Sequence, residues 1–169
     1  MSGAAPTVLL AEDSADDRFL IARAIGKAAP GVALQLAVDG VEAVDYLAAS
    51  GRFADRERYP VPRLLLLDWK LSRRSGEEVL RWIRAQPRLD ALPVVVLTMS
   101  AEDGDIRRAY AARANSYLQK PGASAELVER MQATLGYWLG HNLAPSPAGA
   151  TPRDTPAHGA APAATDRPR

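Results

Sequence analysis

The chain has 169 residues, a formal net charge of +1 and no cysteine. This length accommodates one domain of ordinary size with an extension, the charge gives no reason to expect a nucleic-acid surface, and the lack of cysteine excludes a disulfide framework. The short lead, residues 1–6, has neither a basic segment nor an apolar run, and no segment approaches the ~20 apolar residues that span a bilayer. We therefore expect a soluble, cytoplasmic protein that binds neither membranes nor nucleic acid.

Short apolar runs alternate with amphipathic segments over residues 7–143. Short apolar runs flanked by turn residues indicate strands, and apolar residues at helical spacing indicate helices. The predicted strands cover residues 7–11, 32–38, 64–67, 93–97 and 116–119, and the predicted helices cover 16–28, 41–49, 77–85, a segment starting near 100, and 123–139. This alternation predicts an α/β fold, a doubly wound five-stranded parallel sheet with helices on both faces.

Three local features carry more specific expectations. Ser100 and Asp103 resemble the start of the fourth helix, which Gly104 should weaken by ~1 kcal/mol relative to alanine. Residues 51–62 form a polar loop that is longer than most connections between a helix and a strand. In the first helix we expect the buried face to consist of Phe19, Leu20, Ile21, Ala24 and Ile25.

Polar residues follow four of the predicted strands at their carboxyl ends. They are Glu12 and Asp13 after the first strand, Asp68 after the third, Thr98 after the fourth and Lys120 after the fifth. Each alone has an ordinary alternative, as a helix start, a local backbone contact or a solvated charge. Because parallel strands keep their ligand crevice outside their carboxyl ends, we expect these side chains to meet at one edge of the sheet.

The predicted cluster has a specific chemistry. Three crowded carboxylates repel one another and favour a bound cation, and oxygen ligands suit Mg²⁺, which also accepts phosphate oxygens. A carboxylate can attack phosphorus to form an acyl phosphate. We therefore expect Asp68 to be the phosphoacceptor, Glu12 and Asp13 to hold Mg²⁺, Lys120 to pair with the phosphoryl group, and Thr98 to hydrogen-bond one phosphoryl oxygen.

These segments resemble the receiver domain of two-component response regulators, a flavodoxin-like fold, over about residues 7–140. The resemblance implies that Asp68 receives its phosphoryl group from a sensor histidine kinase, and that Asp68 and the backbone carbonyl of Lys70 join Glu12 and Asp13 as metal ligands. It also implies that Thr98 and Lys120 couple phosphorylation to shape. Tyr117, three residues before the lysine, is implied to swing inward with Thr98, and the alternative is an ordinary strand tyrosine.

Three positions depart from what the family commonly carries. Lys70 stands where asparagine or methionine is frequent, and its ammonium is expected to lie over the phosphoryl group or to exclude attacking water. Met99 stands where alanine or glycine is frequent, and it is expected to narrow access to the site. Ser72 replaces a common proline, which predicts a softer loop after the third strand.

The last 26 residues, 144–169, contain six prolines and eight alanines and no apolar residue larger than alanine. Such a segment buries too little surface to order itself, so we expect a disordered tail. A stand-alone receiver is therefore expected, read by an unknown downstream protein. Among such receivers the chain looks most like those associated with phytochromes, which makes a bacteriophytochrome kinase the more specific expectation, and a motor-binding chemotaxis-type receiver is the alternative.

The last predicted helix ends in Tyr137, Trp138 and Leu139. Exposed aromatic residues there indicate an interface, and we expect a homodimer built on them and on the face of the fourth helix, the fifth strand and the fifth helix. The alternative is that these residues cover the lower edge of the domain itself.

Two other functions are alternatives to a phosphoreceiver. Phosphatases of the haloacid dehalogenase class also use an aspartate nucleophile with Mg²⁺, but theirs lies near the chain start and is followed two residues later by a second aspartate, where this chain has Lys70. A degenerate receiver would serve only as a scaffold, but all five site residues are present. We therefore expect a signalling protein that is not an enzyme.

Overall fold

The computed structural model describes residues 5–145, and within them five parallel strands form one sheet in the order β2-β1-β3-β4-β5. The elements in chain order are β1 (Thr7–Ala11), α1 (Ala15–Ala28), β2 (Ala33–Ala37), α2 (Gly40–Ala48), a 3₁₀ turn (Gly51–Phe53), β3 (Leu64–Leu67), α3 (Gly76–Arg84), β4 (Val94–Thr98), α4 (Asp103–Ala111), β5 (Ser116–Gln119), α5 (Ser124–Leu135) and a π-helical segment (Gly136–His141). The predicted α/β fold with a five-stranded parallel sheet is confirmed.

The central strands β1, β3 and β4 are buried along their whole length, which explains their uninterrupted apolar sequences. Alternate residues of β1 serve two cores because strand side chains point to opposite faces. Leu9 belongs to the core that includes side chains of α2, α3 and α4, whereas Leu10 belongs to the core that includes side chains of α1 and α5. The sheet is therefore packed against helices on both of its faces.

The buried face of α1 is narrower than predicted. Ile21, Ala24 and Ile25 are buried as expected, but Phe19 is 65% exposed and Leu20 is 43% exposed. Each residue adds about 100° around a helix, so positions 19 and 20 fall outside the stripe that positions 21, 24 and 25 define. The prediction for Phe19 and Leu20 was therefore wrong.

The start of α4 also differs from its prediction. The residue that precedes the helix is Glu102, and its side chain makes no capping hydrogen bond. The hydroxyl of Ser100 instead donates to Asp105 Oδ2 at 2.5 Å and accepts from the backbone N–H of Glu102 at 3.3 Å. Ser100 therefore fastens the loop before α4 to the helix without being its N-cap.

The long loop at residues 51–62 is packed against the domain by aromatic contacts. Tyr46 of α2, Phe53 and Tyr59 form a cluster with ring centroids 5.0–5.9 Å apart. Arg56 donates to the carbonyls of Tyr46, Leu47 and Tyr59 at 2.8–3.0 Å. The loop therefore has a defined path, although its sequence is polar.

The C-terminal end of the described chain does not continue as one α-helix through residue 139. Trp138 and Leu139 lie in the π-helical segment and are half-buried against the core that α1 and α5 share. Tyr137 is 53% exposed and lies edge-on to Trp138 at 5.0 Å. Trp138 and Leu139 therefore cover the lower edge of the domain itself. Of the three residues predicted to form the interface, only Tyr137 is largely exposed to solvent.

Two further expectations concern parts of the chain at its ends. The predicted lead at residues 1–6 and the predicted disordered tail at 144–169 lie mostly outside the described residues. Across residues 5–145, no helix has both the length and the hydropathy that a membrane crossing requires.

Candidate functional site

A cleft at the carboxyl edge of the sheet collects the residues that the strand ends were predicted to deliver. It is lined by Glu12, Asp13, Asp68, Thr98 and Lys120, and its rim adds Ser14, Asp17, Lys70, Met99, Ser100, Ala101 and Glu102. Four neighbouring strands supply the five predicted residues because β1, β3, β4 and β5 are adjacent and parallel. The predicted meeting of these side chains at one sheet edge is therefore observed.

Three carboxylates form the acidic part of the cleft. One oxygen from each of Glu12, Asp13 and Asp68 lies within 4.8 Å of the others. Glu12 and Asp68 are buried, and burial raises the pKa of Glu12, against the hydrogen bond from Lys120 that lowers it. An all-oxygen donor set of this charge fits a hard divalent cation.

Lys120 is the main cation among these carboxylates and is itself buried. Its ammonium donates to Glu12 Oε2 at 2.5 Å, to Asp17 Oδ2 at 2.8 Å and to Asp68 Oδ2 at 3.2 Å. Burial alone would lower the pKa of Lys120, but the hydrogen bonds to Asp17 and Glu12, together with the negative charges of Asp68 and Glu12, raise that pKa above its ordinary value. Lys120 therefore stays charged and partly offsets the repulsion in the cleft.

Asp17 is a site residue that sequence reasoning missed. It lies in the first turn of α1, where an acidic residue ordinarily complements the helix dipole. The only signal in the sequence was an acidic residue four positions after Asp13, and acidic residues are common at the starts of helices.

Thr98 and Tyr117 approach the same residue from two strands. The Thr98 hydroxyl oxygen, almost completely buried at the end of β4, accepts from the backbone N–H of Ser100 at 3.4 Å. The Tyr117 hydroxyl donates to the Ser100 carbonyl at 3.0 Å, and burial raises the pKa of Tyr117. Ser100 thus connects the two residues that the predicted switch requires.

The two unusual residues, Lys70 and Met99, lie at the mouth of the cleft. The Lys70 ammonium lies toward the start of α4, 3.7 Å from Asp105 Oδ2 and 3.9 Å from Glu102 Oε1. Its backbone N–H donates to Asp68 Oδ1 at 3.2 Å, and the metal role of its carbonyl stays a prediction. Met99 lines the cleft and is 61% exposed, a position that is compatible with its predicted role of narrowing access to the site.

The loop after β3 is fastened to its surroundings. Ser72 donates its backbone N–H to Asp13 Oδ2 at 2.9 Å, a contact that a proline at this position would not make. Ser72 also accepts from the backbone N–H of Gly40 at 3.3 Å, and Arg73 pairs with Asp39 at 3.0 Å. The predicted softness is therefore countered by contacts to Asp13 and to the start of α2.

A family model and the sequences of known proteins both match this chain over most of its length. A sequence model described as the response regulator receiver domain matches residues 8–132. The probable methanogenesis regulatory protein FilR2 of Methanothrix harundinacea (strain 6Ac) is 40% identical over 141 residues, which are 83% of this chain and 88% of that protein.

Solved structures of phytochrome-associated response regulators share the fold over most of this chain. The phosphorylated cyanobacterial phytochrome response regulator RcpA superposes with a TM-score of 0.78 and 32% identity, covering 85% of this chain and 100% of that one. The Mn²⁺-bound form of response regulator Rcp1, a protein of Synechocystis sp. (strain ATCC 27184 / PCC 6803 / Kazusa), gives a TM-score of 0.74 and 33% identity, covering 83% and 99%. The Mn²⁺ in that relative and the acidic cluster of this chain together support a divalent-metal site.

Proposed function

Since the chain belongs to the response regulator receiver family, we propose that Asp68 accepts a phosphoryl group from a sensor histidine kinase and that the protein signals through the resulting change of its surface. One observation carries the proposal: the buried Asp68 carboxylate lies beside two acidic residues and the Lys120 ammonium in an open cleft. A nucleophile, a cation site and a fixed positive charge are what phosphoryl transfer to a carboxylate requires.

The transfer conserves atoms and charge. A carboxylate oxygen of Asp68 attacks phosphorus, the bond from phosphorus to the kinase imidazole breaks, and its electron pair returns to the imidazole nitrogen. The Lys120 ammonium and the Thr98 hydroxyl, which line the same cleft as Asp68, would bind the phosphoryl oxygens. Glu12, Asp13, Asp68 and the Lys70 carbonyl would hold Mg²⁺, which supplies charge neutralisation when bound.

The surface change would begin at Thr98. If its hydroxyl turns toward the phosphoryl group, its contact with the Ser100 N–H is lost, and Ser100 is also the acceptor for Tyr117. The face formed by α4, β5 and α5 would then respond to phosphorylation, with a coupling free energy of about 1–3 kcal/mol.

We propose stoichiometric signalling rather than catalysis by this chain. The position two residues after Asp68, where a phosphatase of the haloacid dehalogenase class needs a general acid, is occupied by Lys70, whose ammonium is paired with α4. A pure scaffold is disfavoured because the acceptor, both acidic residues, the threonine and the lysine that phosphorylation requires all line the cleft.

The proposed setting is the cytoplasm, with a histidine kinase as donor. The relatives named for phytochromes make a bacteriophytochrome the more specific donor candidate, with an unknown downstream protein as reader. We also propose a homodimer on the face of α4, β5 and α5, extended by Tyr137. Sedimentation of Tyr137→Ala tests it more cleanly than Trp138→Ala, because Trp138 also packs in the domain core.

The deciding experiment is labelling by a small phosphodonor with Mg²⁺ present. Wild type should take up one stable phosphoryl group, and Asp68→Asn, which keeps the shape of the side chain but removes the nucleophile, should take up none. Labelling of Asp68→Asn at the wild-type rate would contradict the proposal, and steady donor turnover would favour a phosphatase.

The metal site has a separate test. Asp13→Ala should weaken quenching of Trp69 fluorescence by Mg²⁺, since Trp69 follows Asp68 directly. Unchanged Mg²⁺ affinity in this variant would remove Asp13 from the site.

A further inference from the structure

Lys70 lies between two groups of negative charge, one at the end of β3 and one at the start of α4. Its backbone is tied to Asp68 by the hydrogen bond to Oδ1. Its ammonium lies 3.7 Å from Asp105 and 3.9 Å from Glu102, distances that exceed a hydrogen bond, and its side chain is 62% exposed. The Lys70 ammonium, at the end of a flexible four-carbon side chain, is therefore only weakly held by Asp105 and Glu102.

Asp105 is, by contrast, fixed and buried. It is 2% exposed, it accepts the Ser100 hydroxyl, and it pairs with Arg108, which also pairs with Glu77 at 3.3 Å. The hydrogen bond from Ser100 keeps the pKa of Asp105 below its ordinary value although burial opposes this, and Lys70 and Arg108 act in the same direction. Asp105 therefore remains ionised, and a buried charge depends on its counterions.

The proposed phosphorylation of Asp68 would change the balance between these two groups. It replaces a carboxylate of charge −1 with a phosphoryl group of about −1.5 to −2 in the same cleft that Lys70 lines. Resting on that proposed function, we propose that Lys70 is a shared cation, which pairs with Asp105 and Glu102 in the unphosphorylated protein and moves to the phosphoryl oxygens when Asp68 is phosphorylated.

The movement would send a second signal to α4, by a path that does not begin at Thr98. The first turn of α4 contains Asp103 and Asp105, and its N-cap makes no side-chain hydrogen bond. Loss of the Lys70 ammonium leaves Asp105 with Arg108 alone as its cationic partner among those described, so the start of the helix is less well held. Lys70 is thus a positioning residue for α4 as well as a ligand of the phosphoryl group.

Amide hydrogen exchange over residues 103–111, with and without beryllofluoride and Mg²⁺ as a phosphoryl mimic, tests this directly. In wild type the mimic should speed exchange by about 5-fold, the lower end of typical coupling between sites. Lys70→Gln should exchange faster without the mimic and should lose most of the additional response. Lys70→Arg, which keeps the charge, should restore the response.

Arg107→Gln is the matched control. Like Lys70→Gln, it removes a cation that is paired with an acidic residue in the first turn of α4, but its partner Asp103 is exposed and neither Arg107 nor Asp103 lines the cleft. This variant should keep the wild-type response to the mimic. An equal loss of response in Arg107→Gln and Lys70→Gln would show a general charge effect on the helix and would overturn the shared-cation proposal.

The lifetime of the phosphorylated protein gives a second readout, which a purely structural role for Lys70 would not change. Lys70→Gln should shorten it, because one cation over the phosphoryl oxygens is lost. If wild type binds neither donor nor mimic, the proposed function fails and this inference fails with it. If wild type binds both, and Lys70→Gln matches it in exchange and in lifetime, only the shared-cation proposal is overturned.

Discussion

Replacing Gly76 with alanine tests how closely α3 is seated on the backbone of Asp68. A Cβ at Gly76 would lie 2.4 Å from the Asp68 carbonyl oxygen and 2.8 Å from the Trp69 Cα. Both are backbone atoms, and the Gly76 N–H already donates to the Trp69 carbonyl at 3.0 Å. Neither neighbour can therefore rotate away as a side chain would.

The size of the effect follows from these contacts. Moving the Asp68 oxygen from 2.4 Å to at least 3.0 Å requires a shift of about 0.6 Å. Overpacking of this kind costs about 1–3 kcal/mol, and the helix preference of alanine over glycine returns at most ~1 kcal/mol. We therefore expect Gly76→Ala to lose about 1–2 kcal/mol of unfolding free energy. It should also weaken Mg²⁺ binding and phosphorylation, because the displaced residue is the proposed acceptor.

Urea denaturation followed by tryptophan fluorescence measures the stability change, and Mg²⁺ quenching of Trp69 measures the change at the site. Gly26→Ala is the control: Gly26 is exposed in the last turn of α1, and nothing lies within 4 Å of a Cβ there. It should gain about 0.5–1 kcal/mol. A Gly76→Ala protein with wild-type stability and wild-type Mg²⁺ affinity would refute the reasoning.

Three further predictions concern parts of the domain away from the cleft. Burial raises the pKa of Tyr46 to about 12, above its ordinary value near 10. The folding stability that the neutral Tyr46 side chain contributes is therefore fully present below pH ~10 and is lost as the pH rises through about 12. Tyr46→Phe should remove the last tyrosinate step in an ultraviolet titration, and an unchanged step would contradict its assignment. Arg84 makes five hydrogen bonds, including one to Asn115. Arg84→Lys should therefore lower the unfolding free energy by about 1–3 kcal/mol, measured by thermal denaturation. Arg81→Lys, at an exposed position on the same helix, is the control and should lower it by less than about 0.5 kcal/mol. Leu66→Ala, in the middle of β3, should cost about 2–5 kcal/mol in urea denaturation, and a smaller loss would mean that the surrounding core collapses onto the space.

The central strands and the cleft residues at their ends were predictable because one physical rule governs both. A strand buried on two faces has an uninterrupted apolar sequence, and the first polar residue after it must lie at the sheet edge. For Leu64–Leu67 followed by Asp68 the sequence therefore indicates the element, its end and the location of the charge.

Helical residues that lie in the cleft or contact one of its lining residues were not predictable in this way. Asp17 and Asp105 both lie in first turns, where acidic residues are favourable by themselves. Only the packing of α1 and α4 against the sheet brings the first to Lys120 and the second to Ser100. The same holds for Trp138, since an apolar residue near a helix end fits an interface as well as a core until the neighbouring elements are known.

The contact between Lys120 and Glu12 joins residues 108 positions apart, which has a consequence for biosynthesis. All three carboxylates around Lys120 belong to the first 68 residues, and the ammonium follows Asp68 by 52 positions. At about 5–20 residues per second, a ribosome completes Asp68 roughly 3–10 s before it completes Lys120. During that interval the carboxylates of the cleft lack their internal cation, so the charge balance of the cleft is completed only after β5 and the lysine that follows it have been made.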